Sequence, residues 1–236
     1  MVSGIPDSAP LTLLAVREMV RGKTDTAGAL ATFRGWLEDG ISGTNPNVVL
    51  GAAHTMASAG EVDEALTLLE PVRELEPMAY MVQLYLGLHQ PRYAAEKVKA
   101  MAALEEDHTL TQLAGAWVGL AGGGSAKAVE DAYHTFQDFI DKYAPSAKLL
   151  NGVATACMLQ GNFDEAFAIL STALEVNAND PETLANLVVV GNHAGKSQDV
   201  IDRWLLQLRG VAPSHTLLSN IDSLSSKFAA AAANYS

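Results

Sequence analysis

Residues 149–180 read LLNGVATACMLQGNFDEAFAILSTALEVNAND, and residues 183–213 read TLANLVVVGNHAGKSQDVIDRWLLQLRGVAP. A glycine occupies the same place in both stretches, because Gly161 and Gly195 lie 34 residues apart. Apolar residues recur at helical spacing on both sides of each glycine, without the alternation that is typical of a strand. A self-similar period of about 34 residues predicts an array of helix–turn–helix repeats.

The same frame recurs nearer the N-terminus, where residues 47–77 read NVVLGAAHTMASAGEVDEALTLLEPVRELEP. Gly60 is expected in the turn between the two helices, and Pro77 is expected to end the second helix. Five positions after each turn glycine comes a small or medium-sized residue that would permit a close crossing of the two helices. These residues are Ala65, Ala166 and Val200.

Two further units depart from this frame. Residues 89–91, His-Gln-Pro, stand where the turn glycine would be in one unit. In the other unit, residues 122–125, Gly-Gly-Gly-Ser, lengthen the linker between the two helices. Both units keep two apolar helical stretches, so the sequence predicts an all-α fold, an α-solenoid of tetratricopeptide-like helix–turn–helix repeats.

The predicted organisation is a single helical-repeat domain over residues 1–236. Residues 1–9 are expected to be unstructured, and residues 11–39 predict two amphipathic helices that divide near Gly22. Residues 214–236 predict a terminal capping helix followed by a tail. Repeat arrays of this kind bind other proteins along an extended surface, which makes a binding function the first expectation.

Composition excludes several function classes. With a net charge of −12, the chain lacks the excess of Lys and Arg through which proteins bind nucleic acids and anionic lipid surfaces. The one cysteine, Cys157, rules out an internal disulfide and falls on an apolar helical face, where a buried thiol is expected. We find neither a signal-peptide pattern in MVSGIPDSAP nor an apolar stretch of about 18 residues, and therefore predict the reducing cytosol.

One stretch imitates a nucleotide site. Residues 186–197, NLVVVGNHAGKS, resemble an apolar strand followed by a phosphate-binding loop. That loop needs four residues between its glycines, whereas Gly191 and Gly195 enclose three, so a turn between helices is favoured. The six histidines are scattered without metal-ligand spacing, and no nucleophile–base arrangement stands out. We expect no enzyme activity, no catalytic residue, no metal and no cofactor.

Several motifs resemble one family. They are SAPLTLLAVR (8–17), TLTQLAGAWVGLAGGG (109–124), DAYHTFQDFIDKY (131–143), LLNGVATACMLQGNFDEA (149–166) and DPETLANLVVVGNHAGK (180–196). Together with the order of regular and degenerate repeats, they resemble the epsilon subunit of the COPI coatomer over nearly the whole chain. Members of that family carry further helical sequence before the SAPxLxAVR region, whereas this chain starts almost at it.

The resemblance implies a structural subunit of a vesicle coat that serves retrograde Golgi-to-ER and intra-Golgi transport. It implies the C-terminal region of the coatomer alpha subunit as the direct partner, held by repeats that curve around an extended segment. The rest of coatomer and the membrane would be reached indirectly, and the location would be cytoplasmic and peripheral on Golgi membranes and COPI vesicles. The alternative is a generic tetratricopeptide adaptor or co-chaperone that reads acidic tails, which would need Lys or Arg in the groove.

The predicted partner-binding surface is the concave face, lined by the first helix of each hairpin. Its mixture of amides, hydroxyls and aliphatic side chains suits an extended peptide. The outward positions are Leu50, His54, Gln83, Leu86, Thr111, Val118, Asn151, Thr155, Met158, Ala185, Val189 and Asn192. Some of these positions are alternatively expected to pack on the next repeat.

Overall fold

The computed structural model describes residues 6–7, 9–40, 42–121 and 125–233, and within them the chain forms thirteen α-helices and no β-strand. The helices are α1 Leu11–Arg21, α2 Thr26–Glu38, α3 Pro46–Ser58, α4 Val62–Leu69, α5 Leu75–Gly87, α6 Pro91–Glu105, α7 Thr109–Ala121, α8 Ala126–Tyr143, α9 Ala147–Leu159, α10 Phe163–Val176, α11 Pro181–His193, α12 Gln198–Val211 and α13 Thr216–Ala232. The all-α prediction is confirmed.

Some predictions fall on residues outside those ranges. Of residues 1–9, which are expected to be unstructured, 1–5 and 8 are not described. The glycines of the long linker, 122–124, and the tail residues 234–236 are not described either. The two N-terminal helices appear as α1 and α2, and the predicted terminal helix appears as α13.

Helices begin where the sequence supplies a capping side chain. The Asn45 side chain accepts a hydrogen bond from the amide of Asn47 ahead of α3, and Ser146 accepts one from Leu149 ahead of α9. The carboxylate of Asp180 accepts the Thr183 amide ahead of α11, with Pro181 at the first helical position. Such caps satisfy amides that no helical carbonyl can reach, which fixes the start of each helix.

Four turns inside hairpins share one geometry. Gly60, Gly161 and Gly195 have positive φ angles of 90°, 82° and 64°, and His89 takes the same region with φ 56°. In every case the amide of the next residue donates to the carbonyl five residues earlier, over 2.8–2.9 Å. This 6→1 hydrogen bond defines the Schellman helix end, in which glycine adopts the left-handed conformation at no steric cost. The turn predictions for the three glycines are confirmed.

Residues Met1–Gly122 form one compact unit, unit 1, which contains α1 to α7. Helices adjacent in the chain pack on each other, and α3 also contacts α1 and α5. In the described part of unit 1, apolar clusters that contain Phe33, Met81 and Met101 fill the spaces between the helices. Because each cluster joins only neighbouring helices, the core extends hairpin by hairpin, as in a helical-repeat solenoid.

Residues Gly123–Ser236 form the second compact unit, unit 2, which contains α8 to α13. Here α9 packs against α8, α10 and α11, and α11 packs against α10 and α12. The last cluster buries Leu184 of α11, Leu208 of α12 and Leu218 of α13. The first half of α13 therefore closes the apolar end of unit 2, and a single domain over residues 1–236 stays a prediction.

Glycines inside helices mark the closest approaches between neighbours. A Cβ atom on Gly51 of α3 would lie 2.8 Å from the ring of Phe33, and one on Gly152 of α9 would lie 2.7 Å from the ring of Phe136. A Cβ atom on Gly191 of α11 would lie 2.8 Å from Trp204. In the first two pairs the ring comes from the helix before α3 or α9, so the same glycine–ring contact occurs once in each unit.

Two details of the sequence frame were wrong. Pro77 does not end a helix but lies buried in the first turn of α5, since α4 ends at Leu69. A proline in the first turn of a helix loses no helical hydrogen bond, because the amides of that turn have no carbonyl partner. Pro77 is therefore compatible with the start of α5. In the last hairpin the buried residue is Ile201 rather than Val200, because α12 begins one residue later after its glycine than α10 does.

Candidate partner-binding surface

The first helices of the hairpins define what we call the A-helix surface. It comprises α1, α3, α5 and α7 in unit 1 and α9 and α11 in unit 2. Within unit 1, α3 packs beside α1 and α5, and α5 packs beside α7. Within unit 2, α9 packs beside α11. Adjacent first helices therefore present a continuous face inside each unit, which positions the predicted residues in rows.

In unit 1 most predicted positions are accessible. Gln83 is exposed, and the other accessible side chains are half-buried, namely Leu50, His54, Leu86 and Val118. Thr111 is buried, and its hydroxyl donates to the carbonyl of Glu105 over 2.9 Å. Thr111 therefore secures the approach to α7 and is not accessible to a partner in the structure.

In unit 2 the exposed members of the set lie on α11. Val189 is 40% exposed, and Asn192 is exposed while its amide donates to the carbonyl of Val188. On α9, Thr155 and Met158 are half-buried, and the Thr155 hydroxyl donates to the carbonyl of Asn151. An aliphatic side chain and an amide thus stand side by side on the accessible face of α11.

Asn151 and Ala185 were predicted to point outward and are instead buried. Ala185 packs in the cluster that joins α11 to α12 and α13. The Asn151 side chain donates to the carbonyl of Ala147 over 2.8 Å and to the Thr183 hydroxyl over 2.7 Å. The alternative that some positions pack on the next repeat applies to these two residues, because α11 covers Asn151 of α9 while α12 and α13 cover Ala185 of α11.

The polar contacts of Asn151 form a network between α9 and α11. Besides the bond to Thr183, its amide lies 3.2 Å from the carboxylate of Asp180, which also caps α11. The amide of Asn186 donates to the Asn151 carbonyl oxygen over 2.9 Å. Buried polar groups are stable only when they are hydrogen-bonded, and no buried side-chain nitrogen or oxygen in the described part of the chain lacks a partner.

Sequence reasoning missed two residues of unit 1 that lie beside His54. The Tyr80 ring of α5 stacks on the His54 imidazole with centroids 5.6 Å apart, and burial raises the pKa of Tyr80. Lys23, in the turn between α1 and α2, lines a small recess together with His54. Neither residue could be found by a frame that considered only outward positions of the first helices.

The features that imitated catalytic or ligand sites have structural roles. Residues 181–193 form the helix α11, so the apolar run before Gly195 is no strand and the glycine closes a hairpin turn. Cys157 is buried on α9, and desolvation raises the pKa of its thiol to about 11. Within the described ranges, no group of three or more His, Cys, Asp or Glu could hold a metal ion.

Over the residues that the structure describes, no helix is both long enough and apolar enough to span a bilayer.

Stacked helical hairpins with an accessible face of amides and aliphatic side chains define a helical-repeat protein. The chain is similar in fold to a chain of the APC/C hetero-tetramer Cut9–Hcn1, with a TM-score of 0.68, 18% identity and coverage of 93% of this chain and 44% of that one. It is also similar to a tetratricopeptide repeat protein from Parabacteroides merdae, with a TM-score of 0.63, 16% identity and coverage of 84% and 82%. These likenesses confirm the tetratricopeptide-like solenoid.

The sequence comparisons are more specific. The family model described as coatomer epsilon subunit matches residues 1–236. Coatomer subunit epsilon-1 of Oryza sativa subsp. japonica is 38% identical over 229 residues, which are 97% of this chain and 78% of the relative. Coatomer subunit epsilon-2 of Arabidopsis thaliana is 37% identical over 231 residues, with coverage of 97% and 77%. The chain belongs to the coatomer epsilon subunit family, which confirms the resemblance and places it among subunits of the COPI coat.

Proposed function

We propose that this chain is a non-enzymatic scaffold subunit that holds the C-terminal region of the coatomer alpha subunit along its A-helix surface. Through that partner it would join the rest of coatomer on the cytoplasmic side of Golgi membranes and COPI vesicles. Its process would be retrograde Golgi-to-ER and intra-Golgi transport. The observation that carries the proposal is the family match over the whole chain, at 38% identity to a curated relative.

The accessible side chains of the A-helix surface support binding to an extended segment. Gln83 and Asn192 offer amides that can pair with a peptide backbone. Leu50 and Leu86 offer aliphatic surface in unit 1, and Val189 offers it in unit 2. An extended chain needs both, because its backbone must be hydrogen-bonded while alternate side chains find apolar contacts. The proposed surface therefore keeps the accessible predicted positions and omits Thr111, Asn151 and Ala185.

The alternative of an adaptor for acidic tails has less support. A clamp for a free carboxylate needs several cationic groups that converge on one point. No Lys or Arg occupies any of the predicted outward positions. On α1, Arg17 and Arg21 are engaged by Asp7, Glu18 and Asp25. Lys23, in the turn after α1, lines a recess with His54, and one ammonium group does not make such a clamp.

A matched pair of variants tests the proposal. Val189 on α11 and Leu206 on α12 are both exposed aliphatic residues of unit 2, but only Val189 lies on the A-helix surface. Val189→Asp should weaken capture of a C-terminal fragment of the alpha subunit by about tenfold or more, since a charge would enter an apolar contact. Leu206→Asp should capture the fragment as the unaltered protein does.

Isothermal titration calorimetry on the full chain measures both affinities, and circular dichroism verifies that both variants keep their helicity. Failure of the unaltered protein to bind the fragment would refute the alpha subunit as partner. Equal affinities for the two variants would move the binding surface away from α11.

A further inference from the structure

A recess of about 40 Å³ opens between the end of α1 and the end of α3 in unit 1. Its lining consists of Met19, Gly22, Lys23, His54, Thr55 and Ser58. Gly22 is buried against α3, and a Cβ atom there would lie 3.4 Å from the Thr55 methyl group. The two helices therefore contact each other at Gly22. The recess lies next to this contact and borders His54, whose ring stacks on Tyr80.

The recess combines an apolar wall with a cationic rim. Met19 and Thr55 are lining residues with apolar side-chain atoms, and the exposed Lys23 is the lining residue that carries a cationic group. The Thr55 hydroxyl already donates to the carbonyl of Gly51, and the Ser58 hydroxyl donates to the carbonyl of His54. The Gly22 amide donates to the carbonyl of Glu18. Lys23 and the His54 imidazole are thus the groups left to donate a hydrogen bond into the recess.

The acids near the recess pair with arginines rather than with Lys23. Glu18 is only 2% exposed and receives hydrogen bonds from Arg17 and Arg21. Arg21 also pairs with Asp25 over 2.7 Å. These acids are therefore engaged by arginines, and Lys23 forms no ion pair within 4.0 Å in the described part of the chain. A partner group that neutralises Lys23 would have to be anionic.

The recess is small and open to solvent. A water-sized group needs about 10–15 Å³ of such volume, so 40 Å³ admits a group of a few atoms, with further room on the open side. Among the anionic groups of a polypeptide, the carboxylate of an aspartate or glutamate side chain has this size. Its methylene stem would lie toward Met19 and Thr55.

We propose that this recess is a specificity pocket for an acidic side chain, Asp or Glu, of the extended partner segment that lies along the A-helix surface. The proposal rests on the proposed function, because the segment meant is that of the coatomer alpha subunit. Lys23 forms a charge-assisted hydrogen bond to the carboxylate, and the apolar wall desolvates that bond. The pocket fixes the register of the segment, because one acidic side chain must coincide with the α1–α3 interface.

The first arm of the test uses the C-terminal fragment of the alpha subunit and the full chain. Lys23→Gln should weaken binding by about tenfold at ~50 mM salt, and the difference should shrink at ~300 mM salt. Lys23→Arg keeps the charge and should stay within about twofold of the unaltered protein. The control Lys127→Gln changes an exposed lysine of α8 in unit 2 and should leave binding unchanged. Unchanged binding by Lys23→Gln would overturn the proposal.

The second arm needs no partner protein. The blocked peptides acetyl-Gly-Glu-Gly-amide and acetyl-Gly-Gln-Gly-amide are titrated into the labelled full chain, and amide NMR shifts are followed. The glutamate peptide should shift Lys23, Thr55 and Ser58 with an affinity at least about fivefold above that of the glutamine peptide, and Lys23→Gln should abolish the difference. Equal shifts from both peptides would overturn the pocket. If the alpha-subunit fragment fails to bind the unaltered protein, the proposed function falls, while the peptides still decide the pocket.

Discussion

Replacing Asn151 by alanine should destabilise unit 2, because its side chain joins α9 to α11. The side chain donates to the carbonyl of Ala147 and to the Thr183 hydroxyl, and it accepts the amide of Asn186. It is 8% exposed, so water has little access to the groups that would lose their partner. The amide carries only two N–H bonds, so the contact of 3.2 Å to Asp180 shares a hydrogen with a shorter bond.

The magnitude follows from three direct hydrogen bonds. A hydrogen bond in a protein contributes about 1 kcal/mol net, so the three amount to about 3 kcal/mol. Alanine returns about 0.5 kcal/mol, since it is the better helix former. The expected loss in the free energy of unfolding is therefore about 2–3 kcal/mol. For a chain of this size that corresponds to a fall of about 5–10 °C in the melting temperature.

Thermal denaturation followed by circular dichroism gives the change. Asn220→Ala serves as the matched control, because Asn220 is an exposed asparagine inside α13, and it should shift the melting temperature by no more than about 2 °C. Asn186→Ala alone should cost about 1 kcal/mol, and the double variant should show a coupling of similar size. A melting temperature unchanged by Asn151→Ala, or strictly additive single effects, would refute the network as a stabilising contact.

Three further expectations follow from particular contacts. Gly152→Ala should lower stability by about 1–2 kcal/mol, because the new Cβ atom would lie 2.7 Å from the ring of Phe136, whereas Gly115→Ala, which meets only a methyl group at 3.8 Å, should raise it by about 0.5–1 kcal/mol. His89→Gly should raise stability by about 1 kcal/mol, because φ at this turn is 56°, and chemical denaturation measures the gain. The Cys157 thiol, with its pKa raised to about 11, should react with a thiol reagent at about pH 8 only after denaturant is added.

Each of these expectations has a result that contradicts it. Stabilisation by both glycine variants would mean that the ring of Phe136 moves freely. A loss of stability in His89→Gly would show that the imidazole makes a contact worth more than the strain of its backbone. Rapid labelling of Cys157 in the folded protein would show that α9 opens to solvent.

The positions of the hairpin turns could be predicted from the sequence, because glycine readily adopts a left-handed backbone conformation that other residues rarely adopt. At Gly60, Gly161 and Gly195 the left-handed backbone excludes most side chains, so the requirement is visible as a repeated residue. The turn at His89 could not be predicted in this way, because a histidine there adopts the same left-handed geometry as the glycines of the other turns. The one-residue shift from Val200 to Ile201 escaped prediction, because it depends on where α12 starts after its glycine.

The A-helix surface could be predicted only in part. Asn151 is polar, and on a helix taken alone a polar residue indicates an outward position. It is buried because α11 and its capping residue place Asp180, Thr183 and Asn186 against it. No spacing in the sequence predicts that contact. A loss of partner binding in Asn151→Ala would therefore report a loosened unit 2 rather than a lost contact. Lys23 was not predicted as part of the surface, because it lies in a turn and the prediction considered only the first helices.

The recurring left-handed turn has a consequence for how the chain acquires its structure. Each 6→1 hydrogen bond connects residues only five apart, so a turn of this kind can form before anything distant has been positioned. Proteins assembled from such short-range contacts lose little loop entropy on the way to the transition state and fold rapidly. During synthesis, the early hairpins would form while the later ones are still inside the ribosome. Little apolar surface would then remain exposed before the chain is complete.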